Sequence, residues 1–352
     1  MTEFSNILLV RLSAIGDIVM ASPLLAALRR RYPQAHIAWL VQPECRALLE
    51  RHPDLDRVIV WPRNEWTRLF RHRRWRELWQ AVRGFRSELH TEGFELAIDL
   101  QGLLKSGLLT WLSGADTRIG LGSREGSQWL MTRVVGRGGD SKRIGSEYLY
   151  LAEQLQLPTD GFEMRIGLGP EDLDYVRELR AAEGLEAGYL VICPFTTRPQ
   201  KHWFKERWIE LVERLTQRFG QRVVLLGGPG DVAEAEGIAR PLGSKLINQA
   251  GVTGLTQAAA LISQSDLLIG VDTGLTHMGI AFNRPTIALF GSTCPYLDTT
   301  HDNAVVLYHK LACLPCKRNP TCDGRFDCMR ALSVDAVLDQ AERLLQAAGA
   351  LG

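Results

Sequence analysis

The sequence predicts an α/β protein built from two Rossmann-like, doubly wound domains. Short apolar runs rich in β-branched residues recur along the 352 residues, and each is followed by a segment with helical periodicity. That alternation is typical of βαβ units and parallel sheets. The pattern is interrupted at Gly167-Leu168-Gly169-Pro170 and begins again beyond it. A chain of this length is also long for a single hydrophobic core.

The predicted strands are short apolar runs bounded by Gly, Pro or Asp. After the first one, the segment that starts at Pro23 has an apolar face and three arginines in its last turn, where positive charge suits the helix dipole. The strands predicted before the interruption are Ile7–Leu12, His36–Val41, Arg57–Val60, Glu95–Leu100 and Thr117–Gly120. Those predicted after it are Tyr189–Cys193, Arg222–Leu226, Lys245–Asn248, Asp266–Val271, Pro285–Phe290 and Ala304–Tyr308.

We place the domain boundary at the interruption, which makes residues 1–167 and 168–332 the two domains, with a C-terminal helix within 333–352. Two doubly wound domains in succession predict a cleft between them. Ligands of such sheets bind at the carboxyl ends of the strands, so the loops that follow the strands are expected to hold the chemistry.

Composition narrows the class of protein. Hydrophobic residues make up 45% of the chain and the formal net charge is +1, which predicts a soluble globular protein without a nucleic-acid partner. No apolar stretch approaches the roughly 18 residues of a membrane span, and the N-terminal MTEFSN lacks the order of a signal peptide. We therefore expect a cytoplasmic protein whose cysteines are reduced.

One carboxylate stands out in the first strand-to-helix turn. In RLSAIGDIVMASP, residues 11–23, Asp17 directly follows Gly16. Capping of the helix N-terminus is sufficient to explain an acidic residue at this position. A reactive group, such as a general base, is the alternative.

A second strand-to-helix turn has the features of an anion site. The strand ending at Val271 runs into Asp272, Thr273 and Gly274, and His277 follows in the first turns of the helix. A helix N-terminus with a glycine binds anions through its backbone N–H groups. Capping explains Asp272 and Thr273 equally well, but it does not require an imidazole.

Two further loops of the second half suit a nucleotide. Thr196 and Thr197 offer hydroxyls and Lys201 an ammonium after the strand ending at Cys193, a combination that suits a diphosphate. The glycine-rich turn LLGGPGDVAEAE lacks the spacing of a dinucleotide fingerprint or a P-loop. Glu234 or Glu236 in its helix could bind ribose hydroxyls, and a surface helix explains them equally well.

The segment 61–89 is strongly basic and interleaved with tryptophans. It holds eight arginines and one histidine against three glutamates. A solvated helix face is the simplest interpretation of such a charge run. The interleaved tryptophans favour a surface for a phosphorylated amphiphile or a membrane interface. Nucleic acid is a third option that nothing else in the sequence supports.

Four cysteines near the C-terminus have metal-like spacing. They are Cys313, Cys316, Cys322 and Cys328, in a loop rich in Pro and Gly over residues 313–328. A CxxC pair with two further thiols predicts a structural zinc or iron site. Because the second pair is not CxxC, reduced and unliganded thiols are the alternative.

Four ordered motifs resemble those of the ADP-heptose:lipopolysaccharide heptosyltransferases. They are RLSAIGDIVMASPLLAALRRRYP, IDLQGLLKSGLL, FTTRPQKHW and VDTGLTHMGIAFNRPTIALFG. The resemblance implies a GT-B architecture, with the acceptor on the N-terminal domain and the sugar nucleotide on the C-terminal one. It also implies inverting transfer, with no cofactor required for catalysis, of heptose from ADP-heptose to the Kdo–lipid A inner core of lipopolysaccharide in a Gram-negative bacterium.

The resemblance assigns roles to individual residues. Asp17 falls on the family's catalytic aspartate. Donor contacts fall on Thr196, Thr197, Lys201, Asp272, Thr273, Gly274 and His277, with Glu234 as the ribose contact. Acceptor contacts fall on Arg63, Arg73, Arg74, Lys105 and Arg124. The basic segment and the motif around Lys105 resemble the enzymes that add the first heptose, whereas the cysteine cluster resembles the second-heptose branch.

A lipid-anchored acceptor and a basic, tryptophan-bearing segment together predict peripheral attachment to the cytoplasmic face of the inner membrane, weakening with salt. Three other functions fit the sequence. They are a second- or third-heptose transferase or another sugar-nucleotide transferase of the same family, a nucleotide-sugar epimerase of the same architecture, and a non-catalytic binding module.

Overall fold

The structure, a computed structural model, describes residues 3–293, 295–316 and 319–350. The chain divides into two compact units, residues 1–140 with 145–167 and residues 141–144 with 168–352, so the main division follows Gly167. Each unit has its own six-stranded sheet in which all neighbouring strands are parallel. The predicted α/β class with two doubly wound sheets is confirmed.

The N-terminal unit alternates strands and helices. Its elements are β1 (Asn6–Val10), α1 (Ile15–Ala21), α2 (Pro23–Arg31), β2 (His36–Val41), β3 (Arg57–Val60), α3 (Arg63–Arg71), α4 (Trp75–Thr91), β4 (Leu96–Asp99), α5 (Leu104–Leu112), β5 (Thr117–Leu121), β6 (Arg133–Val135) and α6 (Ser146–Gln154). The strand order is β3-β2-β1-β4-β5-β6. The order reverses beside β1, so the loops after β1 and β4 flank the switch point where such sheets bind ligands.

Helices cover both faces of this sheet, which is why its central strands β1 and β4 are buried along almost their whole length. Ile7 and Leu9 of β1 belong to one buried cluster, whereas Leu8 and Val10 belong to another that includes Phe85 of α4. Successive side chains of a strand point to opposite faces.

The C-terminal unit repeats this topology. Its elements are α7 (Pro170–Glu183), β7 (Tyr189–Cys193), α8 (Lys205–Phe219), β8 (Arg222–Leu225), α9 (Val232–Ala239), β9 (Leu246–Asn248), α10 (Leu255–Ser263), β10 (Leu267–Val271), α11 (Gly274–Ala281), β11 (Thr286–Phe290), β12 (Ala304–Tyr308), α12 (Asp327–Arg330) and α13 (Val334–Ala347). The strand order is β12-β11-β10-β7-β8-β9. The carboxyl ends of β10, β7 and β8 are therefore neighbours.

Three local features differ from or complete the sequence predictions. Strand β6 was not predicted. The basic segment 61–89 forms two helices rather than one face, because the chain turns between α3 and α4 and Arg73 has a φ of +54° there. The expected C-terminal helix is α13, and residues 351–352 lie outside the described residues. No helix among the described residues is long and apolar enough to cross a bilayer.

Candidate functional site

Asp17 lies in the first turn of α1, where its carboxylate both caps the helix and forms an ion pair. The N–H of Ala14 donates to Oδ2 over 3.0 Å, and Nη2 of Arg11 lies 2.7 Å from the same oxygen. Among the described residues, no side chain or backbone group contacts Oδ1, and the side chain is 34% exposed. The carboxylate is thus held in place through one oxygen, while the other accepts no hydrogen bond from the described residues.

Arg11 is the group that fixes Asp17. Its side chain is buried, and Nη1 donates to the carbonyl oxygen of Leu100 over 2.9 Å. Burial alone would lower the pKa of Arg11, but Tyr148 and Asp17 raise it above its ordinary value. Asp17 therefore faces a cation that stays charged at any working pH. Arg11 was not predicted as a site residue, although it begins the motif that contains Asp17.

A buried carboxylate folds the loop that carries Lys105. Asp99, at the end of β4, accepts from the N–H groups of Gln101 and Gly102 over 2.9 and 3.1 Å and from the hydroxyl of Ser106 over 3.0 Å. Burial raises the pKa of Asp99, and these donors oppose that shift. The loop geometry places Lys105 in the first turn of α5.

Three of the residues predicted to bind the acceptor adjoin this loop. Desolvation and the charge of Arg63 lower the pKa of Lys105, with Glu125 opposing the shift, so these side chains share one region. The backbone N–H of Arg124 donates to the carbonyl of Gly102 over 3.0 Å. The region is a basic surface on the same sheet edge as Asp17.

The other two predicted acceptor residues, Arg73 and Arg74, lie in the turn between α3 and α4. Arg73 and Arg74 follow the C-terminal end of α3, whereas Arg63 begins it. A helix of nine residues is about 13 Å long. Nε of Arg74 also pairs with Glu77 over 2.6 Å. The structure therefore separates this exposed pair from the Lys105 region.

In the C-terminal unit, Asp272 is the centre of a charged network at the end of β10. Nζ of Lys201 lies 2.5 Å from Oδ2, the hydroxyl of Thr293 donates to that oxygen over 2.7 Å, and Nε2 of His277 lies 3.7 Å from Oδ1. Burial alone would raise the pKa of Asp272, but Lys201 and His277 bring it below its ordinary value. Asp272 is accordingly a carboxylate that balances the charge of Lys201.

The imidazole of His277 is held from its other side by a tyrosine. The hydroxyl oxygen of Tyr296 lies 2.7 Å from Nδ1. Burial and the charge of Asp272 raise the pKa of Tyr296 well above its ordinary value, so it stays a neutral phenol. The imidazole is thereby fixed between a carboxylate and a phenol.

The start of α11 packs closely on β10. A Cβ at Gly270 would lie 2.2 Å from the hydroxyl oxygen of Thr276, which donates to the carbonyl of Val271 over 2.6 Å. Only glycine at this position leaves room for that hydrogen bond. Thr273 caps the helix in an extended conformation and Gly274 is its first residue, so the backbone N–H groups of the first turn lie beside Asp272.

The remaining predicted donor residues meet through a histidine. Nε2 of His202 lies 2.6 Å from the carbonyl of Thr196, and its Nδ1 lies 3.7 Å from a carboxylate oxygen of Glu234. The hydroxyl of Thr196 donates to the carbonyl of Asp272 over a long 3.5 Å, and Thr197 is exposed. The loops after β7, β8 and β10 thus form one polar site.

Sequence reasoning missed His202, Thr293 and Tyr296. His202 belongs to the motif that contains Lys201, and the other two follow β11, whose carboxyl end adjoins that of β10. The rule that ligands bind at the carboxyl ends of parallel strands was a signal for these residues.

The four cysteines do not form a ligand set in the described residues, which hold no group of three or more His, Cys, Asp or Glu side chains placed to bind a metal ion. Cys313 is exposed, Cys316 and Cys322 are half-buried, and Cys328 is buried. Burial, with the charges of neighbouring thiols, raises the pKa of Cys316 and Cys328. The zinc or iron site therefore stays a prediction from the cysteine spacing.

Residues 82–325, more than half of the chain, match the model of glycosyltransferase family 9 (heptosyltransferase). The chain belongs to glycosyltransferase family 9. This membership confirms the resemblance drawn from the four motifs, and it makes the protein a glycosyltransferase of the heptosyltransferase class.

Full-length relatives agree with family 9. Lipopolysaccharide heptosyltransferase 1 of Pseudomonas aeruginosa is 31% identical, over 97% of this chain and 98% of its own length. Lipopolysaccharide heptosyltransferase 2 of Salmonella typhimurium is 26% identical, over 98% and 99%. A crystal structure of a family 9 glycosyl transferase from Veillonella parvula has a TM-score of 0.80 at 22% identity, covering 98% of each chain, and so shares the fold.

Proposed function

We propose that this enzyme transfers a heptose from ADP-heptose to the inner core of lipopolysaccharide, with Asp17 as the general base. The observation that carries the proposal is the partly exposed carboxylate of Asp17, held by Arg11 and by the N–H of Ala14 through Oδ2. The names of the two full-length relatives support heptose as the transferred sugar and lipopolysaccharide as the acceptor class.

The C-terminal unit would hold the donor. In the reaction the bond between the anomeric carbon and the diphosphate oxygen breaks, and the diphosphate leaves with the electron pair. Lys201 and the N–H groups at Thr273 and Gly274 are preorganised to stabilise that growing negative charge. A carboxylate at Glu234 would accept from ribose hydroxyls. Asp272 would align Lys201 through their ion pair.

The N-terminal unit would hold the acceptor. The acceptor hydroxyl attacks the anomeric carbon on the face opposite the diphosphate, through an oxocarbenium-like transition state. Its proton passes to Asp17, while the new bond joins the acceptor oxygen to the sugar. Arg63, Lys105 and Arg124 supply positive charge for the phosphates and carboxylates of the Kdo–lipid A region. Such an acceptor is anchored in the inner membrane, so the enzyme would act at its cytoplasmic face.

We further propose that the acceptor is the one that receives the first heptose. The relative named heptosyltransferase 1 shares more identity with this chain than the relative named heptosyltransferase 2, over similar coverage. Assays with ADP-heptose and a panel of truncated lipopolysaccharide acceptors test this. Turnover only on acceptors that already carry a heptose would reassign the enzyme to a later step.

Asp17→Asn tests the general base. Asparagine keeps a side-chain oxygen for the N–H of Ala14 but cannot take a proton, so we expect kcat to fall by about 10²–10⁴-fold. Affinity for ADP, measured by calorimetry, should change little because the donor residues belong to the other unit. Turnover within threefold of the wild type would reject the assignment and leave Asp17 as a helix cap.

Asp172→Asn is the matched control. Asp172 occupies the same capping position in α7, where the N–H of Gly169 donates to its Oδ2 over 2.9 Å. The substitution removes the same charge at the same helix position, and we expect kcat within twofold of the wild type. A comparable loss in both variants would attribute the effect to helix capping rather than catalysis.

A further inference from the structure

Exposed aromatic side chains collect on one part of the N-terminal unit. Among the described residues, the exposed tryptophans are Trp75, Trp79, Trp111 and Trp129, with exposed fractions of 54, 61, 46 and 84%. They lie on α4, on α5 and in the turn at residues 127–130. The exposed large hydrophobic residues of the C-terminal unit are aliphatic and come from separate elements. Single exposed residues need no explanation, but a cluster does.

Helix α4 presents an alternating stripe of tryptophan and arginine. Trp75, Trp79, Arg83 and Arg86 follow the spacing i, i+4, i+8 and i+11, which places them on one side of a helix. The guanidinium carbon of Arg83 lies 5.2 Å from the centroid of the Trp79 ring. The buried residues of the helix, Phe85 and Leu89, lie along the flank of this stripe.

A second stripe on α5 adjoins the first. Leu104, Leu108 and Trp111 follow the spacing i, i+4 and i+7 and are 42 to 46% exposed. The guanidinium carbon of Arg86 lies 5.7 Å from the centroid of the Trp111 ring, which joins the two stripes. We call these two stripes together the aromatic–arginine face.

The residue composition of this face indicates which kind of partner binds there. Over residues 61–89, eight arginines oppose three glutamates, so a symmetric contact between two copies would bring like charges together at a cost. Leu104 and Leu108 of the α5 stripe offer nothing to nucleic acid, which is bound by cations and stacking rings. Tryptophans at headgroup depth, aliphatic side chains below them and arginines on phosphates are the pattern of a bilayer interface.

We propose that the aromatic–arginine face docks the N-terminal unit on an anionic lipid bilayer. The sequence predicted a membrane interface only over the basic segment 61–89. The proposed surface also includes α5, whose exposed stripe is apolar rather than basic. The proposal rests on the proposed function only for which membrane is used. The same unit carries Asp17 and Lys105, so docking would set the acceptor-binding residues at the bilayer that anchors the acceptor.

Vesicle co-sedimentation tests the docking surface. We expect the wild-type protein to bind vesicles of phosphatidylglycerol and phosphatidylethanolamine, to bind phosphatidylcholine vesicles much less, and to lose binding as salt rises. Leu108→Glu and Trp79→Glu should each weaken binding by at least about tenfold, because a carboxylate replaces an apolar group at an anionic surface. Leu173→Glu on α7 is the matched control, since Leu173 is 41% exposed against 43% for Leu108, and it should leave binding unchanged.

Turnover on a delipidated, water-soluble acceptor separates this proposal from the proposed function. Docking variants should keep that turnover and the wild-type thermal midpoint while losing vesicle binding. Vesicle binding without any heptosyl transfer would leave docking standing and overturn the function. Equal loss in Leu173→Glu and Leu108→Glu, or no binding of the wild type to anionic vesicles, would overturn the docking surface. A wild-type dimer that Leu108→Glu dissociates would identify a second copy as the occupant instead.

Discussion

The ion pair between Lys201 and Asp272 makes a sharp prediction about stability. Nζ and Oδ2 are 2.5 Å apart, and the two side chains are only 15 and 12% exposed. Lys201→Met keeps most of the side-chain volume and removes the positive charge. Asp272 would then be a buried carboxylate without its main counter-charge.

The expected cost follows from this burial. Removing one partner of a buried ion pair destabilises a protein by about 3–5 kcal/mol. The hydroxyl of Thr293 still donates to Asp272, so we expect the lower end, about 3 kcal/mol of unfolding free energy. For a domain of this size, that corresponds to a fall in thermal midpoint of about 6–12 °C. The double variant with Asp272→Asn should recover part of the loss, because it removes the stranded charge.

The loss should also depend on pH in a defined direction. The folded-state pKa of Asp272 is depressed, so its stabilising contribution is present above the unfolded-state pKa and is lost as pH falls through the folded value. Without Lys201, burial dominates and raises the pKa of Asp272, so mild acid protonates the carboxylate and relieves the penalty. The difference in unfolding free energy between wild type and Lys201→Met should therefore be larger at pH 8 than at pH 5.

Urea unfolding at the two pH values measures both effects, and Arg218→Met provides the matched control. Arg218 pairs with Glu342 at the same distance of 2.5 Å, but these side chains are 43 and 33% exposed. An exposed pair contributes about 0–1 kcal/mol, so this control should differ little from the wild type. Equal losses in the two variants, or a loss in Lys201→Met that does not change with pH, would refute the reasoning.

Two further predictions concern Tyr296 and the cysteines. Tyr296→Phe removes the hydroxyl that holds Nδ1 of His277. We expect kcat to fall by about tenfold and the pH–rate profile to shift, while the affinity for ADP stays unchanged. An unchanged pH–rate profile would show that Tyr296 has a packing role alone. The cysteine spacing predicts one structural zinc or iron ion per chain, whereas the described residues hold no group of ligands placed to bind a metal ion. Elemental analysis of protein purified without chelator decides between the two. A metal content near zero would reject the prediction from the spacing.

Local pattern was enough to locate most of the sheet. Strands β2, β3, β7 and β12 have the predicted bounds, and the other predicted strands differ by one or two residues at one or both ends. Strand β6 escaped because its three residues lie at a sheet edge and two of them are exposed. An edge strand of that length carries no continuous apolar run, which was the signal used for the others.

The residues of the candidate site were likewise predicted only in part. Asp17, Lys201, Asp272 and His277 were predicted from their positions after strands, because the carboxyl ends of parallel strands are where ligands bind. The contacts of these side chains were not predicted. The contact between Lys201 and Asp272 depends on β7 and β10 being neighbours in the sheet, which chain order does not state.

The sequence by itself determined the α/β class, the two domains and the loops that form the candidate site, because burial and turn propensity are local properties that alternate visibly along the chain. Only the tertiary structure decided which charges meet. It brought Lys201 to Asp272 and the Tyr296 hydroxyl to His277, and it placed Arg86 of α4 against Trp111 of α5. Such contacts depend on strand order and helix packing, which bring together side chains that lie far apart in the sequence.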